Sequence, residues 1–206
     1  LALLLAATIL GVRLFTVLPS SSRQPRRRRS PDDKCPTALF LGSGGHTTEL
    51  LLLLRSLDPQ RYVSRSYYIS SGDDFSRAKA IAFEQEWAGE KASAYTIVAL
   101  PRARAVHQSW LSTPLSTILC FVACARRLVL PHLSRSRDPS IPAPPELILM
   151  NGPGTCVPLV AAVYVNRILS LPSPRLIYVE SFARVKSLSL TARILRPFVD
   201  DFVVQW

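Results

Sequence analysis

Acidic residues are scarce in this sequence: 14 Asp and Glu stand against 25 Lys and Arg, a formal charge of +11. Glycine is scarcer still, at 8 of 206 residues, alongside three histidines and four cysteines. These shortages exclude chemistry. No acidic pair stands beside a glycine cluster, so no metal is implied. No two cysteines form a C-x-x-C pair and the ligand spacings of a zinc site are absent. Cys120 and Cys124 lie four apart in an apolar helical stretch, which reads as buried packing, and free thiols fit a reducing, cytosolic surrounding. No Gly-Lys-Ser/Thr occurs, which excludes a P-loop. Charged residues make up only 19% against 48% hydrophobic, so the chain buries a sizeable core and is not globally disordered. There are no internal repeats.

The surplus of positive charge points to an anionic neighbour, a nucleic acid or a membrane surface, and its location decides between them. Residues 1–18 are apolar apart from Thr8, Arg13 and Thr16, and Arg23 and Arg26 to Arg29 follow. A span needs about 20 apolar residues, and flanking positive charge stays on the cytoplasmic side. The expectation is a transmembrane anchor over 1–18 with the remainder in the cytosol. A cleaved signal peptide is the alternative, but its charge precedes the apolar core, and Val17-Leu18-Pro19 is a poor cleavage site. The arginine run fits anionic lipid heads, so no nucleic-acid partner is implied. Residues 19–36, rich in Ser, Pro and Arg, read as a linker.

From residue 37 to 206 strands and helices alternate. Strands are expected at Thr37–Leu41, Ser66–Ser70, Tyr95–Leu100, Glu146–Met150, Leu176–Val179 and Phe202–Val204. Helices are expected at Thr47–Leu57, Asp74–Trp87, Leu111–Leu130, Cys156–Leu169 and Leu188–Leu195. Residues 134–145 read as a proline-rich surface loop. The fold class is α/β: a Rossmann-like parallel sheet with helices on both faces, preceded by one transmembrane helix. The helix over 111–130 is either core or a membrane-interface element with Arg126 and Arg127 at the head groups. The chain starts without Met and ends at Trp206 just after a strand, which reads as a piece of a longer protein.

The densest signal is Leu41-Gly42-Ser43-Gly44-Gly45-His46-Thr47-Thr48-Glu49. A short apolar strand runs into glycines and then into a helix. Such a turn brings backbone close to a ligand, and the helix start aims free N–H groups and a positive dipole end at the same place. A phosphate suits it. A tight βα turn that binds nothing is the simpler alternative. Gly42 and Gly44 match a dinucleotide fingerprint, but Thr47 stands where the third glycine belongs. A second turn, Asn151-Gly152-Pro153-Gly154-Thr155, follows the fourth strand, with Thr155 as expected N-cap. Both turns then share the carboxyl edge of one sheet, where two helix N-termini suit a diphosphate. Glu180-Ser181 falls on the same rim. His46 reads as a general base, a phosphate donor or a packing residue. The segment from Arg102 to Trp110, with His107, reads as an anion-binding loop or a solvated connection.

Five segments together carry a resemblance: Leu41-Gly-Ser-Gly-Gly-His-Thr-Thr-Glu-Leu50, Gln108-Ser-Trp110, Asn151-Gly-Pro-Gly-Thr-Cys-Val-Pro158, Tyr178-Val-Glu-Ser181 and Val203-Val-Gln-Trp206. In this order they resemble the membrane-anchor subunit of the dolichyl-diphosphate UDP-N-acetylglucosamine transferase, over residues 37–206. The resemblance implies the N-terminal, acceptor-side half of a GT-B glycosyltransferase split into two chains. The implied complex, a heterodimer or higher, adds a second GlcNAc in inverting β-1,4 linkage to GlcNAc-diphosphodolichol. This occurs on the cytosolic face of the endoplasmic reticulum, toward N-glycosylation. It further implies no cofactor, donor UDP-GlcNAc held mainly by a soluble catalytic partner, and no activity without that partner. The acceptor diphosphate is assigned to Gly42, Ser43, Gly44, Gly45, Thr47, Asn151, Gly152, Gly154 and Thr155. His46 is the candidate base, with Glu180 the weaker one. The family's C-terminal tail, which docks the partner, is missing past Trp206. Two other readings are a membrane-anchored NAD(P)-dependent oxidoreductase, resting on Gly42-x-Gly44, and a non-enzymatic recruiting scaffold.

Overall fold

The computed structural model describes residues 2–19, 30, 32–89, 94–105, 108–109, 111–133 and 144–205. The arginine run of the linker, His107, Trp110, nearly all of the proline-rich loop and Trp206 lie outside these residues. In chain order the elements are α1 (Ala2–Val17), β1 (Cys35–Leu41), α2 (Gly45–Leu54), β2 (Tyr62–Ser70), α3 (Asp74–Trp87), β3 (Thr96–Leu100) and α4 (Thr113–Leu128). Then follow α5 (Leu130–Leu133), β4 (Leu147–Asn151), α6 (Cys156–Ile168), β5 (Arg175–Val179), α7 (Leu190–Leu195) and β6 (Asp201–Val203).

The strands form one six-stranded sheet in the order β3-β2-β1-β4-β5-β6, and every pairing is parallel. Strands sandwiched between helix layers are apolar on both sides: Ala38, Leu39, Phe40 and Leu41 of β1 are all fully buried. Alternation along β1 sends Ala38 and Phe40 into one core, shared with Cys120 and Cys124 of α4, Val160 and Val163 of α6, and Leu195 of α7. Leu39 and Leu41 enter the other core, under Leu50 and Leu54 of α2 and Phe83 of α3. The Rossmann-like α/β arrangement is therefore present.

Among the described residues no helix is long and apolar enough to cross a membrane. At 16 residues and about 1.5 Å per residue, α1 spans ~24 Å against a hydrocarbon core of ~30 Å. Only its C-terminal part packs on the domain, through Leu14, Val17 and Leu18. Arg13, the charge inside this apolar helix, donates to the carbonyls of Ile168 and Arg167, both at 3.1 Å, and to Ser170 Oγ at 2.6 Å. It thus caps the negative end of α6. Helix α4 is two-sided. Cys120, Cys124 and Leu128 are buried, while Leu115, Ile118, Leu119 and Val122 are exposed.

Strands β1 and β2 start earlier than expected. The register between them slips at Pro36/Ala38, and Ser64 opposite the slip has a φ of 46°. This bulge precedes Arg65, which is 1% exposed. Its Nε and Nη2 donate to Glu84 Oε1 and Oε2, both at 2.6 Å. Tyr67 Oη donates to Glu84 Oε1 at 2.6 Å, and Arg65 Nη1 donates to the carbonyls of Pro59 and Tyr62. The bidentate pair bolts α3 to β2. Removing one partner of such a pair leaves an uncompensated buried charge. Glu84→Ala is therefore expected to destabilise the domain by about 3–5 kcal/mol in urea unfolding, and a loss under about 1 kcal/mol would show that water compensates Arg65.

Candidate functional site

Strands β1 and β4 are neighbours, with Phe40 opposite Met150. From β1 the chain order runs outward one way to β2 and β3, and from β4 the other way to β5 and β6. The two glycine turns therefore leave the carboxyl edge side by side, where strand order reverses and open α/β sheets bind ligands.

The turns touch. A Cβ at Gly42 would meet Pro153 Cδ at 2.6 Å, the Asn151 carbonyl oxygen at 3.0 Å and His46 Cβ at 3.0 Å. A Cβ at Gly152 would meet His46 Cδ2 at 2.7 Å and Cγ at 2.8 Å. Gly152, with a φ of 104°, thus lies under the His46 imidazole, which joins the two turns. Tyr178 Oη donates to the Gly152 carbonyl at 3.1 Å. Burial pushes that phenol well above its ordinary pKa, keeping it a donor.

The remaining glycines are open. Nothing approaches a Cβ at Gly44, Gly45 or Gly154, and these residues and Ser43 are exposed. Helix α2 starts at Gly45, two residues before the expected Thr47. Its N-cap is Gly44, with φ 68° and no side-chain cap. Its first N–H groups have no carbonyl of the helix to reach. The second turn differs: Cys156 and Val157 N–H donate to the Pro153 and Gly154 carbonyls, both at 3.0 Å. The first turn is therefore the more open of the two, and the second stands beside it as a wall.

Three of the residues assigned from the sequence make hydrogen bonds within the protein. Thr47 is fully buried; its Oγ1 donates to the Gly42 carbonyl and lies 2.7 Å from Ser76 Oγ, so the hydroxyl closes the turn from beneath. Thr155 stands at the N-cap position of α6, as expected, but its side chain makes no cap hydrogen bond. It accepts instead from Ala103 N–H at 3.3 Å, which pins the segment after β3 to this edge. Glu180 is 1% exposed. Its Oε1 accepts from Ser181 N–H at 3.0 Å and its Oε2 from Ser189 N–H at 2.8 Å. Both oxygens brace the loop between β5 and α7, while His46 is half-buried at the seam. Asn151 is fully buried and Nδ2 donates to Glu49 Oε2 at 2.9 Å. Glu49 went unassigned in the sequence; its one signal is a lone acid directly ahead of the apolar run Leu50 to Leu54. Among the described residues no group of three or more His, Cys, Asp or Glu could hold a metal.

The family model described as "Oligosaccharide biosynthesis protein Alg14 like" matches residues 37–206. A protein named UDP-N-acetylglucosamine transferase subunit ALG14 from Cryptococcus neoformans is 43% identical over 201 residues, covering 96% of this chain and 86% of that protein. The Schizosaccharomyces pombe protein of that name is 41% identical, covering 82% of this chain and 74% of its own length. The human one is 37% identical, covering 97% and 86%. Among solved structures, O-ureido-L-serine synthase aligns with 95% of this chain and 62% of its own at 11% identity and a TM-score of 0.26, too low to carry an argument.

The two classes of glycine separate in stability. Gly42→Ala and Gly152→Ala are each expected to lose about 1–3 kcal/mol in urea unfolding, because Pro153, the Asn151 carbonyl and the His46 side chain occupy the space. Gly45→Ala is expected to be neutral or to gain up to about 1 kcal/mol at a helix start. Equal losses at all three positions would contradict the seam described here.

Proposed function

The chain belongs to the Alg14-like oligosaccharide biosynthesis proteins, and we propose that it is the membrane-anchoring, acceptor-binding subunit of a UDP-N-acetylglucosamine transferase. The proposed reaction transfers a second GlcNAc to GlcNAc-diphosphodolichol, toward N-glycosylation at the cytosolic face of the endoplasmic reticulum. The sheet serves as the acceptor-side half of a split GT-B enzyme, and a soluble catalytic subunit supplies the half that holds UDP-GlcNAc. The chain alone is inactive, and the linkage formed is β-1,4 with inversion.

One observation carries this reading: the uncapped start of α2 beside a second glycine turn at the switch point of the sheet. A pyrophosphate needs N–H donors and a positive dipole end with no side chain in the way, and Gly44 and Gly45 supply that opening. The acceptor is a lipid, so its cradle belongs near a bilayer, and tethering raises the effective concentration of the domain there. The exposed Leu115, Ile118, Leu119 and Val122 of α4, ahead of exposed Arg126 and Arg127, support a domain resting against an anionic membrane surface. His46 at the seam is the proposed base for the attacking hydroxyl or a donor to the diphosphate.

The oxidoreductase reading has lost its support. Thr47 fills the third glycine position with a buried side chain. Asp73, the acid after β2, is spent on capping α3, accepting from Ser76 N–H at 3.0 Å and Ser76 Oγ at 2.8 Å.

The test is reconstitution with lipid-diphosphate-GlcNAc and UDP-GlcNAc, with and without the soluble partner. Transfer is expected only with both chains; full turnover by this chain alone would sink the division of labour. In the complex, Gly45→Val is expected to abolish transfer while the protein still folds, and undiminished transfer would remove the cradle. His46→Ala is expected to slow turnover about a hundredfold or more if the imidazole takes the proton, whereas a loss of a few-fold would leave it a positioning role.

A further inference from the structure

Glu49 joins three walls of the crevice. It stands on α2, just past the first glycine turn. Its Oε2 accepts from Asn151 Nδ2 at 2.9 Å, at the last residue before the second turn. Its Oε1 accepts from Ser181 Oγ at 2.8 Å, just after β5. An ionised carboxylate only accepts hydrogen bonds. It therefore dictates how the Asn151 amide stands, with Nδ2 toward Glu49 and Oδ1 turned away. Asn151 is fully buried and Oδ1 has no hydrogen-bond partner. A buried acceptor without a donor is costly, and such atoms in native folds call for an explanation. This one adjoins Gly152, over which the His46 imidazole lies.

We infer that Glu49 is a positioning residue that holds the Asn151 amide so that its Oδ1 accepts a hydroxyl or amide N–H of the acceptor sugar. A carbonyl oxygen repels phosphate, so this replaces the assignment of Asn151 to the diphosphate. Phosphate belongs to the open amides of the first turn, and the sugar belongs to the seam. Oδ1 is closed to solvent, so the inference includes a local opening of the seam as the sugar binds. The inference rests on the acceptor-binding role proposed above.

The test uses the reconstituted two-chain complex and two variants, Glu49→Gln and Asn151→Ala. An amide at 49 can meet Asn151 in either orientation, so Glu49→Gln releases the constraint, and Asn151→Ala deletes the oxygen. Each is expected to raise the KM for lipid-diphosphate-GlcNAc about tenfold, the scale of one lost hydrogen bond. The KM for UDP-GlcNAc, the melting temperature and the inhibition constant of a sugar-free lipid diphosphate are expected to stay put. Equal weakening of the sugar-free inhibitor, a fall in melting temperature that tracks the kinetic loss, or an unmoved acceptor KM in Asn151→Ala would each overturn it. Should Glu49→Gln fail to fold, Asn151→Ala carries the test. If the wild-type complex neither saturates with acceptor nor is inhibited by the sugar-free lipid, the acceptor-binding role fails and this inference with it. If the wild type does both while the variants match it, this inference alone falls.

Discussion

The contact between the two glycine turns is the constraint on which the site depends. Strands in a sheet lie about 4.8 Å apart, so two loops leaving neighbouring strands compete for the same volume. Here the competition is resolved by absence: Gly42 makes room for Pro153, and Gly152 makes room for the His46 ring. The seam that results is tight, and the open side of the first turn runs along Ser43, Gly44 and Gly45. The same scarce residue type therefore does two unlike jobs, joining the turns at one pair of positions and leaving them bare at the others.

Beneath that seam, polar side chains are spent on shape. Thr47 and Ser76 lie 2.7 Å apart and tie the first turn to the start of α3, where Asp73 accepts from Ser76. Glu180 holds the β5–α7 loop and its carbonyl accepts from Gln205 Nε2 at 3.0 Å. Arg65 and Glu84 do the same between β2 and α3. Each of these carboxylates has its oxygens filled by donors within the protein, so acidity near the rim works as scaffolding.

Much of this was legible in the sequence, for identifiable reasons. Apolar runs broken by glycine, proline and aspartate mark buried parallel strands, and the two Gly-rich turns after them announce the carboxyl edge. The α/β class and the adjacency of Gly44 and Gly154 to that edge follow from local pattern alone. What escaped was set by partners far along the chain. The bulge at Ser64 extends β2 back to Tyr62 and turns Arg65 inward, which no local periodicity reveals. Thr47, Thr155 and Glu180 have the residue types of ligand contacts, yet their side chains bond to Gly42, Ala103 and Ser189 respectively. Glu49 has partners 102 and 132 residues away, so nothing near it in sequence betrays what it touches.

Arg13 has a geometric consequence. It grips the last turn of α6, and α6 begins at the second glycine turn, 13 residues away, or about 20 Å at 1.5 Å per residue. Helices of this length are stiff rods. The core-packed α6 thereby fixes where the end of α1 sits, and the other end of the same rod is the wall of the crevice. The wall of the crevice is thus tied, along the length of α6, to three hydrogen bonds at the opposite end of the domain.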